Sequence, residues 1–229
     1  MREHLIIDAD DTLWENNIYF ERAFDEFCEF LSHSSMTPQE IRTILDEIEL
    51  ANSKVHGYGS KNFGRNLKQC YERLAEREIR NDDLEIVMSF AFRIMEQPVE
   101  IIDGVPETLE YLALRYDLNL FTKGHPEEQK LKIDRSGLGC YFNHTAIVKE
   151  KDPDSYRWLI AERSIPPQNG WMIGNSPKSD INPALRVGLN AAFVPHAHTW
   201  VLEKQDICCD GVQGKLLIVD NFKELRRHF

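Results

Sequence analysis

The chain has 229 residues, 42% of them hydrophobic and 28% charged, enough to bury a full core and to hold one domain plus an insertion. No apolar run approaches the ~20 residues that span a bilayer. A formal charge of −11 excludes the broad basic surface on which general nucleic-acid binding relies, and it obliges any phosphate site to concentrate positive charge locally, through a metal ion and one or two lysines.

The N-terminus, MREHLIIDADD, places two acids directly after a very short apolar run and does not read as an export signal. Cys28, Cys70, Cys140, Cys208 and Cys209 show no C-x-x-C spacing, so a disulfide framework or zinc ribbon is not expected and a reducing cytoplasm is. Cys208 and Cys209 read as small residues of a late loop.

In chain order, His4 to Asp8 is a short apolar run ending in acids, the pattern of a buried strand leading to a polar loop. From about Ile18 to Met95 the pattern is helix after helix. Phe20, Phe24, Phe27, Phe30 and Leu31 recur at helical spacing, as core residues do. Thr37-Pro38-Gln39-Glu40 is a helix start, with Thr as N-cap, Pro at N1 and Glu at N3. Val55 to Asn66, with Gly57, Gly59 and Gly64, is the expected break in this block. From Ile101 onward strands and helices alternate: strands at Asp117–Thr122, Asn143–Lys149, Trp171–Gly174, Asn190–Val194 and Leu216–Val219, and helices at Pro126–Ser136, Pro153–Arg163 and Ser179–Val187, before a short basic C-terminal helix. Repeated strand–helix units imply a parallel sheet covered on both faces. Ligands gather at the carboxyl ends of such strands.

Four of these ends carry polar clusters: Asp8-Ala9-Asp10-Asp11-Thr12, Thr122-Lys123-Gly124, Lys149-Glu150-Lys151-Asp152-Pro153, and Gly174-Asn175-Ser176-Pro177-Lys178-Ser179-Asp180. In that order they resemble the motifs of the haloacid dehalogenase superfamily, subfamily I, phosphatase type, with a helical C1 cap. The resemblance implies a doubly wound parallel α/β core, Rossmann-like, over residues 1–14 and 99–229, and an inserted α-helical cap domain over 15–98. It implies a magnesium-dependent phosphatase that hydrolyses a small phosphorylated metabolite through an aspartyl-phosphate, with no nucleic-acid or membrane partner, as a monomer or homodimer.

By the family pattern Asp8 is the nucleophile, already ionised at neutral pH, and a divalent cation relieves its repulsion from the phosphate. Asp10, two residues on, fits the general acid and then the base. Mg2+ takes oxygen ligands, here Asp8, the Asp10 carbonyl, Asp180 and Asn175. Asp11, Thr12, Thr122, Lys123, Gly124 and a motif lysine make the phosphate-binding set, although Lys123 alone reads as solvated. The motif lysine is Lys151 by its helix-start register before Asp152-Pro153, or Lys149, two residues earlier on the same strand face. The fourth motif often begins Gly-Asp; Gly174-Asn175 removes one negative charge, so weaker magnesium affinity is expected.

His196 and His198 form an H-x-H without a third ligand at useful spacing and read as loop histidines. In the helical block, Trp14, Asn16, Asn17, Lys61, Asn62 and Arg65 are candidate substrate contacts, since a cap excludes water and reads the substrate beyond its phosphate. Asp10 argues against a 2-haloacid dehalogenase, which lacks that second aspartate. A phosphonatase needs a cap lysine, and Lys54, Lys61 and Lys68 keep it open. A phosphomutase shares all four motifs. A non-catalytic regulatory binding module is the alternative from another class.

Overall fold

The computed structural model describes residues 3–211 and 213–229. The chain divides into two compact units, Met1–Asn17 with Val99–Phe229, and Ile18–Pro98. In chain order the elements are β1 (His4–Ile7), α1 (Asn17–Leu31), α2 (Pro38–His56), α3 (Ser60–Leu74), α4 (Asn81–Phe92), α5 (Val105–Ala113), β2 (Asp117–Lys123), α6 (Pro126–Ser136), β3 (His144–Val148), α7 (Pro153–Arg163), β4 (Gly170–Gly174), α8 (Asn182–Arg186), β5 (Asn190–Phe193) and β6 (Leu216–Ile218). None of the helices is long and apolar enough to cross a membrane, among the described residues.

In the α/β unit the strands form a six-stranded sheet in the order β3-β2-β1-β4-β5-β6, every pair parallel. Strands buried on both faces need apolar side chains at odd and even positions alike, and the runs Leu5-Ile6-Ile7 and Leu118-Asn119-Leu120-Phe121 supply them. Alternation then sorts them. Leu5, Ile7, Leu118, Leu120 and Ile173 pack with Leu109 and Leu112 of α5 and with Phe222 and Leu225. Ile6, Phe121 and Met172 pack on the opposite face with Tyr156 and Leu159 of α7 and Ala184 of α8. The sheet order reverses between β1 and β4, and an open α/β sheet has its ligand crevice at such a switch point, beyond the strands' carboxyl ends.

Two segments of the α/β unit expected as ordinary helices take other forms. The helix expected over Ser179–Val187 is a π-helical turn, Pro177–Ile181, followed by the short α8. Pro183 has no N–H to offer the Ser179 carbonyl four residues back. The Tyr156 hydroxyl supplies the missing donor, 3.0 Å from Ser179 O. The basic C-terminal segment is a 3-10 helix, Phe222–Arg227, whose Phe222 and Leu225 share one side at the three-residue spacing and are buried in the core.

The helical unit is built on an apolar core from all four of its helices: Phe24, Phe27 and Leu31 of α1, Ile41, Leu45 and Ile48 of α2, Phe63, Leu67 and Tyr71 of α3, and Val87 and Ala91 of α4. Thr37 and Glu40 form the capping box that starts α2. The expected break over Val55–Asn66 narrows to Gly57–Gly59, because α3 begins at Ser60 and runs through Gly64. Gly64 faces α4 so closely that a Cβ would lie 3.1 Å from that of Ala91. It is a packing glycine, not a breaker.

Candidate active site

The β1 ladder ends at the Ile7–Ile173 pair, and the Asp8 N–H donates to the Ile173 carbonyl (2.9 Å). Asp8 therefore leaves the sheet at the switch point, buried. Lys151, also buried, donates to Asp8 Oδ1 and to Asp180 Oδ1, the latter at 2.8 Å. Its register comes from Asp152, which caps α7 by accepting from the Ser155 N–H (2.8 Å) and leaves the residue before it turned inward. Lys149 is exposed. Asp180 is wholly buried, and its second oxygen accepts from the Ser176 N–H at 2.9 Å. Its carboxylate lies against Gly174, where a Cβ would fall 2.2 Å from Asp180 Oδ2; the motif glycine is the space the carboxylate occupies. Thr12 Oγ1 donates to Asp8 Oδ2 (3.1 Å) and is 3.3 Å from Asn175 Oδ1, while Asn175 Nδ2 donates to Thr199 (2.9 Å).

Two carboxylates and one ammonium share this buried space. Burial, then the charge of Asp8, raises the pKa of Asp180 against the pull of Lys151. Burial alone would lower that of Lys151, but Asp180 and Asp8 more than offset it and keep the ammonium charged. With both carboxyl groups ionised, the triad carries one negative charge more than the lysine balances. Oxygen donors from Asp8, Asp180 and Asn175 around that charge suit a hard divalent cation.

Asp10 is held separately. Its Oδ1 accepts from Trp14 Nε1 (2.8 Å), its Oδ2 from Gln129 Nε2 (2.8 Å), and Lys132 Nζ is 2.6 Å from both oxygens. Burial would raise its pKa, but the charge and hydrogen bond of Lys132, with Gln129 and Trp14, hold it below the usual carboxylate range.

Other predicted residues fall into different places. Asp11 has φ 57°. Its carboxylate accepts from the Asn16 and Asn17 N–H groups (2.9 and 3.0 Å), the first amides of α1, so it does not join the phosphate-binding set expected of it. Burial, with the charges of Asp10 and Asp8, raises its pKa to about 7 against those two amides. Thr122 is buried near the end of β2, two residues past the Leu120–Ile7 pair. Lys123 is not a solvated lysine: its ammonium contacts Glu203 (2.5 Å), Ser179 (2.9 Å) and Glu150 (3.3 Å), which consumes the charge expected to serve phosphate. Gly124, at φ +148°, makes room for Gln129, whose Nε2 would be 2.6 Å from a Cβ there.

Trp14 is a core residue of the α/β unit with its indole N–H on Asp10, not a substrate-reading side chain of the helical block. Asn16 accepts from Lys132 (3.0 Å), and Asn17 is buried at the start of α1. Within the helical unit Asn62 donates to the His56 carbonyl (2.5 Å) and accepts from Arg65 (2.9 Å), while Lys61 is exposed. His196 has partners after all: Nε2 is 3.2 Å from Glu15 and Nδ1 is 3.8 Å from Asp11. The three could hold a cation by their spacing. His198 donates its backbone N–H to His196.

Sequence reasoning missed Gln129, Lys132, Thr199 and Glu203. The first two are three apart on one helix face, a spacing that brings side chains together; that was their available signal. Thr199 and Glu203 lie in the irregular segment after β5, where no periodicity marks them.

A doubly wound parallel sheet with a carboxylate–lysine–carboxylate cluster at its switch point defines a Rossmann-like hydrolase domain. The chain belongs to the haloacid dehalogenase-like hydrolases, whose family model matches residues 3–188. It is similar to a haloacid dehalogenase-like family hydrolase from Xanthomonas campestris, at 29% identity and TM-score 0.85 over 99% of this chain and 90% of that one. A predicted phosphoglycolate phosphatase from Haemophilus somnus (15%, TM-score 0.68, 99% and 97% covered) and an L-2-haloacid dehalogenase from Xanthobacter autotrophicus (15%, TM-score 0.67, 99% and 98% covered) share the fold. No curated protein sequence matches the chain.

Proposed function

We propose that this hydrolase is a Mg2+-dependent phosphatase acting on a small phosphorylated metabolite, with Asp8 as covalent nucleophile. The observation that carries the reading is Asp10, a second carboxylate two residues from Asp8, held by three separate side chains. Displacement of a halide releases an anion that needs no proton. Expulsion of an alkoxide from a phosphate ester does need one, and a positioned carboxyl group can supply it.

In this reading an Asp8 oxygen attacks phosphorus, the bond to the leaving oxygen breaks with its electron pair, and Asp10 protonates that oxygen. Water then attacks the phosphorus of the aspartyl-phosphate, Asp10 takes the water's proton, and the Asp8 carboxylate leaves. At rest Asp10 is a carboxylate, suited to the second step. An arriving anionic ester raises its pKa by like charge and readies it for the first. Lys151 stays charged between Asp8 and Asp180 and offsets negative charge as it develops. Asp8, Asp180, Asn175 and the Asp10 carbonyl would hold the cation, and when bound it would relieve the repulsion between Asp8 and the ester. The helical unit is the C1-type cap in this reading, excluding water and reading the substrate beyond its phosphate.

The test is turnover of p-nitrophenyl phosphate with and without magnesium, alongside halide release from 2-chloropropionate. Magnesium-dependent phosphate release without halide release is expected. Halide release alone would replace the reading with a dehalogenase, and neither activity would favour a binding module.

A further inference from the structure

Asp10 is not an isolated acid. An ionised carboxylate offers about four lone-pair sites, and here four contacts fill them: Trp14 Nε1 on one oxygen, Gln129 Nε2 on the other, and Lys132 Nζ on both. The contacts are not equally fixed. Trp14 is a core residue with 1% exposure, its ring packed in the apolar cluster of the α/β unit. Gln129 is 4% exposed, and its Nε2 also donates to the Lys123 carbonyl (2.8 Å). Turning its amide over would set an oxygen against two acceptors. Lys132 alone is bound twice, so it can give up one oxygen and keep the other. A flexible stem and three rotatable N–H donors allow that exchange.

We propose that Lys132 and Gln129 are positioning residues for Asp10, with Gln129 and Trp14 fixing the plane of the carboxylate and Lys132 yielding one oxygen to the leaving group while staying beside it. This rests on the phosphatase reading above. It also accounts for Gly124, since any side chain there would strike Gln129 Nε2 and push it off Asp10. Helix α6 is thus part of the site, reaching it through two residues about one helical turn apart. Asn16, 3.0 Å from Lys132 Nζ, keeps the ammonium near Asp10 when one contact is released.

Leaving-group dependence separates positioning from mere folding. p-Nitrophenolate departs as a stable anion, whereas the alkoxide of glycerol 2-phosphate must be protonated. Lys132→Met and Gln129→Leu are expected to slow phosphoryl transfer from glycerol 2-phosphate to Asp8 by about 10²-fold in single-turnover rapid quench, the scale of a misplaced general acid; the later hydrolysis of the phosphoenzyme, which also uses Asp10, is common to both substrates. Phosphoryl transfer from p-nitrophenyl phosphate in the same quench falls far less, and Lys132→Arg recovers part of the loss. Melting curves of both variants report whether the fold survives. Equal losses on both substrates, or no loss on either, would overturn the proposal and leave the phosphatase reading standing. A wild-type protein that hydrolyses neither ester would overturn both. Should Lys132→Met fail to fold, Gln129→Leu decides by the same ratio.

Discussion

Phe27 and Asp180 are both wholly buried, one in each compact unit, and they are buried on opposite terms. Phe27 lies among the apolar side chains of four helices, where burial itself is favourable. Thr37 and Glu40 work at the head of α2, and the buried Glu49 of that unit is paired with Arg42 (2.7 Å) outside its apolar core. Asp180 is unfavourable by burial, and it is held by the Lys151 ammonium, the Ser176 amide and the missing side chain of Gly174. A core of the first kind defines a shape. A buried cluster of the second kind costs desolvation and pKa perturbation, and such costs concentrate where chemistry is done. The helical unit should therefore lose stability when altered, and the rim of the α/β unit should lose turnover.

The largest expected effect is Asp8→Asn. Turnover should fall by about 10⁴-fold or more, as when a covalent nucleophile is removed, with the melting temperature kept or raised because one buried charge has gone. Steady-state assays and calorimetry on one sample check both halves. Lys151→Met should cut turnover by about 10²–10³-fold. It should also cost stability, up to about 3–5 kcal/mol, because Asp8 and Asp180 then face each other without a cation. That variant sharpens the comparison, since added magnesium should raise its melting temperature more than the wild type's. Phe27→Ala should cost about 3–5 kcal/mol in urea unfolding, while turnover per folded molecule stays near wild type. A large turnover loss there would break the comparison. Gly174→Ala should cost about 1–3 kcal/mol by overpacking against the Asp180 carboxylate, together with activity.

The smallest effect concerns pH. Burial would raise the Glu203 pKa, but the charge and hydrogen bond of Lys123, with Ser176 and Ser179, bring it below the usual value. A depressed folded-state pKa gives stability that is present above the unfolded value of about 4.3 and lost as pH falls through the folded value. Wild type and Glu203→Gln should therefore differ in urea midpoint at pH 7 and converge in acid.

The strands were legible in the sequence because burial on both faces leaves continuous apolar runs, and the ends of those runs carried Asp8, Thr122, Lys151 and Asp180. The helical core was legible for the matching reason, a 3.6-residue recurrence from Phe20 to Leu31. What strand ends could not convey was direction. Asp11 follows Asp10 immediately, yet its positive φ turns it to the amides of Asn16 and Asn17. Lys123 follows Thr122, yet Glu203, eighty residues later, captures its ammonium. Gln129, Lys132 and Thr199 belong to the site only through tertiary contacts; the spacing of the first two marks a shared helix face but not what that face meets. The split of Ser179–Val187 into a π turn and α8 depended on Tyr156 replacing a donor that Pro183 lacks, a long-range compensation invisible to local propensity.

The phosphatase reading stands or falls on whether Asp8 becomes phosphorylated. Rapid acid quench of the enzyme with magnesium and p-nitrophenyl phosphate, followed by peptide mass spectrometry, answers this. One added phosphoryl group is expected on the Asp8 peptide, absent in Asp8→Asn and accumulating in Asp10→Asn. Turnover with no phosphopeptide, or a phosphoryl group on any other residue, would exclude Asp8 as the nucleophile.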